Sequence, residues 1–278
     1  MKSVYTGAIW IGLVLGAGNS PLMAQLQDNT EKQLSCDNNN SGDRDQARHC
    51  EVREQTVAAM GPLTVDAAQN GGVTVKGWLR GDILVRSRVE ASADTAPAAA
   101  NVASQVSVIA AAGQLKATGP ESAKNSWWSV SYEIFVPQNT DLTLKANNGG
   151  VNISDVRGQI HFDVNNGGVR LKRVAGDVSG QTVNGGIQVE LAGRIWDGRQ
   201  LDVHTRNGGV TLAMPSAYSA HVQAETGNGS IQSDFADVLG GERRPKKLDA
   251  NLGSGGPLIH VTTVNGGLSL KRSDTNTR

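Results

Sequence analysis

Aromatic side chains are scarce in this chain: five Trp, three Tyr and three Phe among 278 residues. With so few rings and as many as 34 Gly, a thick globular core fits poorly, and a slender all-β body filled by Val, Ile and Leu fits better. Net charge is missing too. The 26 basic and 26 acidic residues cancel, so no global field steers the chain to nucleic acid or to an anionic membrane. Long apolar runs are confined to the N-terminus. There Lys2, an apolar stretch over 8–17 and Pro21-Leu22-Met23-Ala24 have the layout of a secretory signal peptide, expected over 1–24 with cleavage after Ala24. The rival, an uncleaved anchor, is disfavoured because the stretch is short and Gly-rich for a span of about 20 residues. No later segment is apolar enough to cross a bilayer.

Cysteine is limited to Cys36 and Cys50. In an exported protein a pair 14 positions apart reads as a disulfide, and closing such a loop stabilises by about 3 kcal/mol. A redox role calls for a closer pair such as Cys-x-x-Cys, and a metal site for more ligands than the nearby His49. The polar residues 25–49 therefore read as a leader pinned by that bond, and 273–278 as a polar tail.

What the chain does have is Asn-Gly. At Asn70, Asn148, Asn166, Asn184, Asn207, Asn228 and Asn265 this pair is followed by Gly or Ser and then by alternating apolar residues. Asn148, Asn166 and Asn184 lie 18 positions apart, the mark of an internal repeat. Aligned on Asn, apolar or small residues fall six, four and two places before it and three and five after: Ile160, Phe162, Val164, Val169 and Leu171 around Asn166; Leu201, Val203, Thr205, Val210 and Leu212 around Asn207. A period of two puts these on one strand face and sends His161, Asp163, Arg170, Asp202, His204 and Thr211 to the other.

A second turn interleaves with the first, at Val156-Arg157-Gly158, Val174-Ala175-Gly176 and Leu191-Ala192-Gly193. One unit then holds two short strands and two corners, enough for one coil of a β-solenoid. The expected fold is all-β, a β-helix-like stack over 50–272 with Asn-Gly-Gly corners. In it the Asn residues align as a ladder and Gly supplies the positive φ of a tight corner. A hairpin meander explains each Asn-Gly singly but not the fixed period with two kinds of corner. Later spacings of 23, 21 and 37 break the regularity; the residues responsible, 194–199 and 234–249, are expected to project as loops. Residues 92–100 read as a loop or the start of a helix, since Pro97 argues against a strand.

The order of Asn70-Gly71-Gly72-Val73-Thr74-Val75-Lys76-Gly77-Trp78, then Trp128-Ser129-Val130-Ser131-Tyr132-Glu133-Ile134-Phe135-Val136-Pro137, then repeated Asn-Gly-Gly strands, resembles the bacterial putative-adhesin family of exported β-strand-repeat proteins, a domain of unknown function. The resemblance covers roughly residues 50 to 272. It implies a β-solenoid at the cell envelope with an adhesive or scaffolding role, and it supplies no catalytic residues.

Chemistry is sparse. A polysaccharide lyase or hydrolase needs carboxylates clustered on neighbouring coils; His161 and Asp163 on one rung and Asp202 and His204 on a later one are the candidates, two coils or roughly 10 Å apart. Solvated charges on an outer sheet face explain the same residues. No His-x-x-x-His, Asp-bearing calcium repeat, Gly-x-Ser-x-Gly elbow or Walker loop occurs, so no catalytic, cofactor or metal residue is assigned. Arg243-Arg244-Pro245-Lys246-Lys247 reads as a solvated loop or a contact for anionic lipid or polysaccharide. Trp78, Trp127 and Trp128 read as caps of an open core or as sugar-stacking platforms. The expectation is an exported, non-enzymatic protein of periplasm or cell surface whose partner is an envelope protein or polysaccharide. Self-association and a carbohydrate-active enzyme stand as alternatives.

Overall fold

The computed structural model describes residues 34–36, 46–235, 238–239 and 244–273. The expected signal peptide, most of the leader and the tail after Ser273 lie outside the described residues. Chain order begins with β1 (Ala47–Ala58), β2 (Leu63–Asp66), β3 (Val73–Trp78) and β4 (Asp82–Ala93), then helix α1 (Ala96–Gln105), β5 (Ser107–Ala111), β6 (Gln114–Thr118) and β7 (Trp127–Pro137). Four strand couples follow: β8 (Leu142–Asn148) with β9 (Val151–Ser154), β10 (Arg157–Asn166) with β11 (Val169–Lys172), β12 (Ala175–Asn184) with β13 (Ile187–Glu190), and β14 (Gln200–Asn207) with β15 (Val210–Met214). Last come β16 (Ala220–Asn228), β17 (Ile231–Ser233), β18 (Lys247–Leu252), β19 (Leu258–Asn265) and β20 (Leu268–Arg272). Among the described residues no helix is long and apolar enough to cross a membrane.

The strands form two ten-stranded sheets. The first is ordered β1-β4-β7-β3-β9-β11-β13-β15-β20-β17 and the second β18-β16-β19-β14-β12-β10-β8-β2-β6-β5. Each couple gives one strand to each sheet, and neighbouring couples pair in parallel. The alternation explains why: in β10, Ile160, Phe162 and Val164 are buried while Gln159, His161 and Asp163 are exposed, and Val169 and Leu171 of β11 join the same core. A buried inner face fixes the register, because a slip by one residue would turn every inward side chain outward.

The rungs do not stack in chain order. β19 lies between β14 and β16, and β20 between β15 and β17. After β15 the chain skips one position, lays down β16 and β17, runs back as β18 antiparallel to β16, and fills the gap with β19 and β20. At the other end β3 sits between β7 and β9, and β2 between β6 and β8. The long spacing before Asn265 thus contains a strand that covers the edge of β16, which would otherwise present unpaired backbone groups.

Three expectations are corrected by packing. Residues 194–199 do not project as a free loop: Trp196 is buried and its Nε1–H donates to the Gly176 carbonyl at 3.1 Å, since an indole gains more from burial than from solvent. The expected loop at 234–249 already enters β18 at Lys247, and Phe235 is buried; residues 236–237 and 240–243 lie outside the described residues. The third corner glycine is not Gly193, which has open space around its Cα, but Gly198, where an added Cβ would lie 1.8 Å from the Gly176 oxygen. α1 resolves the ambiguity at 92–100: the Thr95 hydroxyl accepts from Ala98 N–H, Pro97 occupies the first turn, and Ala99 and Ala103 are buried.

Candidate functional site

At the junction between the strands of each rung the seven Asn side chains form one file. Spatial order is Asn70, Asn148, Asn166, Asn184, Asn207, Asn265, Asn228, following the strand pairing and not the sequence. Asn148 Nδ2 donates to Asn70 Oδ1 at 3.2 Å and Asn166 to Asn148 at 2.9 Å. Asn184 to Asn166, Asn207 to Asn184, Asn265 to Asn207 and Asn228 to Asn265 all measure 2.8 Å. A shorter file runs beside it, Asn165 Nδ2 donating to Asn147 Oδ1 at 2.9 Å. Each amide in the middle of the file gives one bond and takes one, which uses its chemistry on its neighbours.

At five of the seven Asn the following glycine serves a different end from the one expected. Gly71 and Gly208 do have positive φ, at 149° and 158°, but Gly149, Gly167, Gly185, Gly229 and Gly266 do not. They are needed because the backbones of successive rungs nearly touch: a Cβ on Gly167 would lie 2.3 Å from the Gly149 oxygen, and one on Gly185 2.1 Å from the Gly167 oxygen. Four of the carbonyls of these glycines after Asn are bound from inside by threonine. Thr182 Oγ1 donates to Gly167 O at 2.8 Å, and Thr205 to Gly185, Thr263 to Gly208 and Thr226 to Gly266 at 2.7 Å. These inward Thr residues are buried, so the hydroxyl needs that partner. At the opposite junction non-glycine residues take positive φ, Asp155 (59°) and Arg173 (51°), and their side chains meet in a two-pronged ion pair at 2.6 and 2.7 Å.

Replacing Asn166 or Asn184 by Ala removes two of the file's bonds, and each net bond is worth about 1 kcal/mol. Each single variant is expected to lose about 1–2 kcal/mol in urea unfolding. The double variant should lose less than their sum, because Asn166 and Asn184 share one bond. A double variant with unchanged stability but lost ligand binding would mean that the Asn file is itself a recognition surface.

The outer face of the second sheet carries four of the chain's five His, at 161, 204, 221 and 260. The four residues singled out from sequence do not form one constellation. His161 of β10 is opposite Ser179, to which its Nδ1 is 3.2 Å distant, and Asp163 accepts from Gln181 at 3.4 Å. β12 separates this pair from Asp202 and His204 of β14. Asp202 and His204 instead meet His260 of β19: Asp202 Oδ1 lies 3.1 Å from His204 Nε2 and 2.8 Å from His260 Nδ1. The two rings stand edge to face with centroids 5.6 Å apart, and all three side chains are half-buried. His260 was invisible as a partner because 58 positions separate it from Asp202; aligning the rungs on Asn207 and Asn265 brings the two into register.

The remaining candidates are engaged in structure. Cys36 and Cys50 form a disulfide with Cα atoms 5.8 Å apart. Trp78 Nε1 donates to Asp82 O at 2.8 Å, Trp128 Nε1 to Pro120 O at 2.7 Å, and Arg48 lies over the Trp127 ring. Of the basic run, Arg243 lies outside the described residues, Lys246 Nζ donates to Gly227 O at 2.9 Å, and Lys247 pairs with Glu225 at 3.0 Å.

No curated protein matches the chain. Among solved structures it is similar to a putative cell adhesion protein from Clostridium sporogenes, at 11% identity over 81% of this chain and 100% of that one, with a TM-score of 0.43. It is also similar to a putative adhesin from Bacteroides fragilis, at 12% identity over 80% of this chain and 97% of that one, with a TM-score of 0.34. A putative adhesin from Parabacteroides merdae is 10% identical over 81% of this chain and 97% of that one, with a TM-score of 0.29. The Toastrack DUF4097 family matches residues 63–271, and the chain belongs to that family.

Proposed function

We propose that the protein is an exported, non-enzymatic β-solenoid of the bacterial cell envelope, adhesin-like or scaffolding in role, that presents a repeated outer face to an envelope protein or polysaccharide. One observation carries the reading: the Asn file holds successive rungs in register, so outward side chains recur at the strand spacing of about 4.8 Å. A regular row of weak contacts suits a polymeric partner, because each further contact is made at high effective concentration. The Asn-Gly corners are structure in this reading, since their amides bond one another. The disulfide supports export, as such bonds persist in oxidising compartments.

The test is to incubate the purified protein with native envelope fractions and with acidic and neutral polysaccharides, then to measure both retention and product formation. Retention on cell-wall material without new chain ends is expected. Cleavage that disappears in Asp163→Ala or Asp202→Ala would replace this reading with a carbohydrate-active enzyme.

A further inference from the structure

We propose that Asp202, His204 and His260 form a zinc site on the outer face of the second sheet. Two imidazoles and one carboxylate are a donor set that divalent zinc takes readily, with bonds of about 2.0–2.2 Å. Here one nitrogen from each His and one oxygen of Asp202 all lie within 4.8 Å of one another. The nitrogens facing the carboxylate are His204 Nε2 and His260 Nδ1, at 3.1 and 2.8 Å from the same oxygen. Ligand atoms around tetrahedral zinc stand roughly 3.3 Å apart, a consequence of those bond lengths. The two nitrogen–oxygen separations, 3.1 and 2.8 Å, already lie within about half an ångström of that value.

The scaffold is suited to this. Asp202 and His204 are two apart on β14 and so share its outer face, while β19 pairs alongside in register and places His260 directly opposite Asp202. His204 Nδ1 lies 2.6 Å from Thr262 Oγ1. With the ring proton on Nδ1 donated to that hydroxyl, Nε2 is left as a neutral lone pair for the metal, the usual way in which an outer partner fixes a ligating tautomer. His260 coordinates through Nδ1 and keeps its proton on Nε2. Three protein ligands at a half-buried position leave the fourth to water or to a donor from a bound partner. Metal binding here does not rest on the adhesin-like reading.

The experiment is calorimetric titration of untagged, metal-free full-length protein with zinc chloride, repeated with cobalt(II) to read visible absorption. One saturable zinc per chain is expected, with cobalt bands of a four-coordinate nitrogen and oxygen site. Asp202→Asn, His204→Gln and His260→Gln should each weaken uptake by about tenfold or more, whereas His221→Gln should not. Circular dichroism and melting in chelator establish that each variant is folded. Should one of the histidine variants fail to fold, the near-isosteric Asp202→Asn decides the matter. Absence of saturable uptake by the wild type would overturn the proposal, as would equal affinity in Asp202→Asn or in a folded His204→Gln/His260→Gln protein.

Discussion

Gly167→Ala is expected to destabilise the protein by about 3 kcal/mol or more, whereas Gly168→Ala, one residue further on, should cost less than about 1 kcal/mol. The two glycines belong to the same Asn-Gly-Gly unit, so composition and local propensity are matched. They differ in what a methyl group would meet. On Gly167 it would lie 2.3 Å from the Gly149 oxygen and 2.6 Å from its carbon, both backbone atoms fixed by the rung below. On Gly168 the nearest atom is the Gly186 oxygen at 3.5 Å, an ordinary contact. Gly167 also offers the carbonyl that Thr182 binds, so any shift made to admit the methyl strains a buried hydrogen bond. Chemical denaturation of the two variants at equal m-value reads the difference directly. Equal losses would mean that glycine is needed at this junction for chain flexibility and not for close approach.

The second large effect is expected at Glu133, on the outer side of the first sheet. Its side chain is 4% exposed, and its two oxygens serve Lys76 Nζ at 2.8 Å, Arg86 Nη1 at 3.3 Å and the Leu34 N–H at 3.3 Å. Hydrogen bonding to Glu54 first, and to Glu133 after it, raises the Arg86 pKa against the opposing effect of burial. Glu133→Ala takes the shared carboxylate from two largely buried cations, a class of change that costs about 3–5 kcal/mol. Arg86 keeps Glu54 at 2.7 Å, so the lower end, about 3 kcal/mol, is expected. Glu133→Gln retains an acceptor and the volume and should lose roughly half as much. Urea unfolding checks both, and a Glu133→Ala protein within about 0.5 kcal/mol of wild type would show that the cluster is solvated in solution.

How much of this was legible beforehand differs from element to element. The all-β character was, because alternation is a local signal: Ile160, Phe162 and Val164 are buried and the residues between them exposed. The disulfide was also legible, since only two Cys exist. Rung order was not, because Asn207, Asn228 and Asn265 sit in nearly identical units and nothing local states which neighbours which. That same ambiguity hides His260 from Asp202: the sequence sets His161 and Asp163 two coils from Asp202 and His204, as the sheet order has them, but does not bring His260 to the strand beside Asp202. The charged cluster at Glu133 was missed for a related reason. Alternation marks Glu133 as outward, and the partners that close over it, Lys76, Arg86 and the Leu34 N–H, come from far along the chain, where no local pattern reveals them.

The place of the last rung bears on how the molecule is made. On a ribosome β16 and β17 emerge before β19 and β20, yet in the finished structure they lie further from β14 and β15. Through that interval the exposed edge of β14 has a ready partner of the wrong identity, since Asn228 carries the same unit that Asn265 will later bring to Asn207. A β16 laid directly on β14 would have to be displaced before β19 could take its place, because pairing with β18 occupies only the far edge of β16. A chain released before Leu258 would lack an internal slab and not a terminus, and the two pieces on either side of the gap would have no native contact through these sheets.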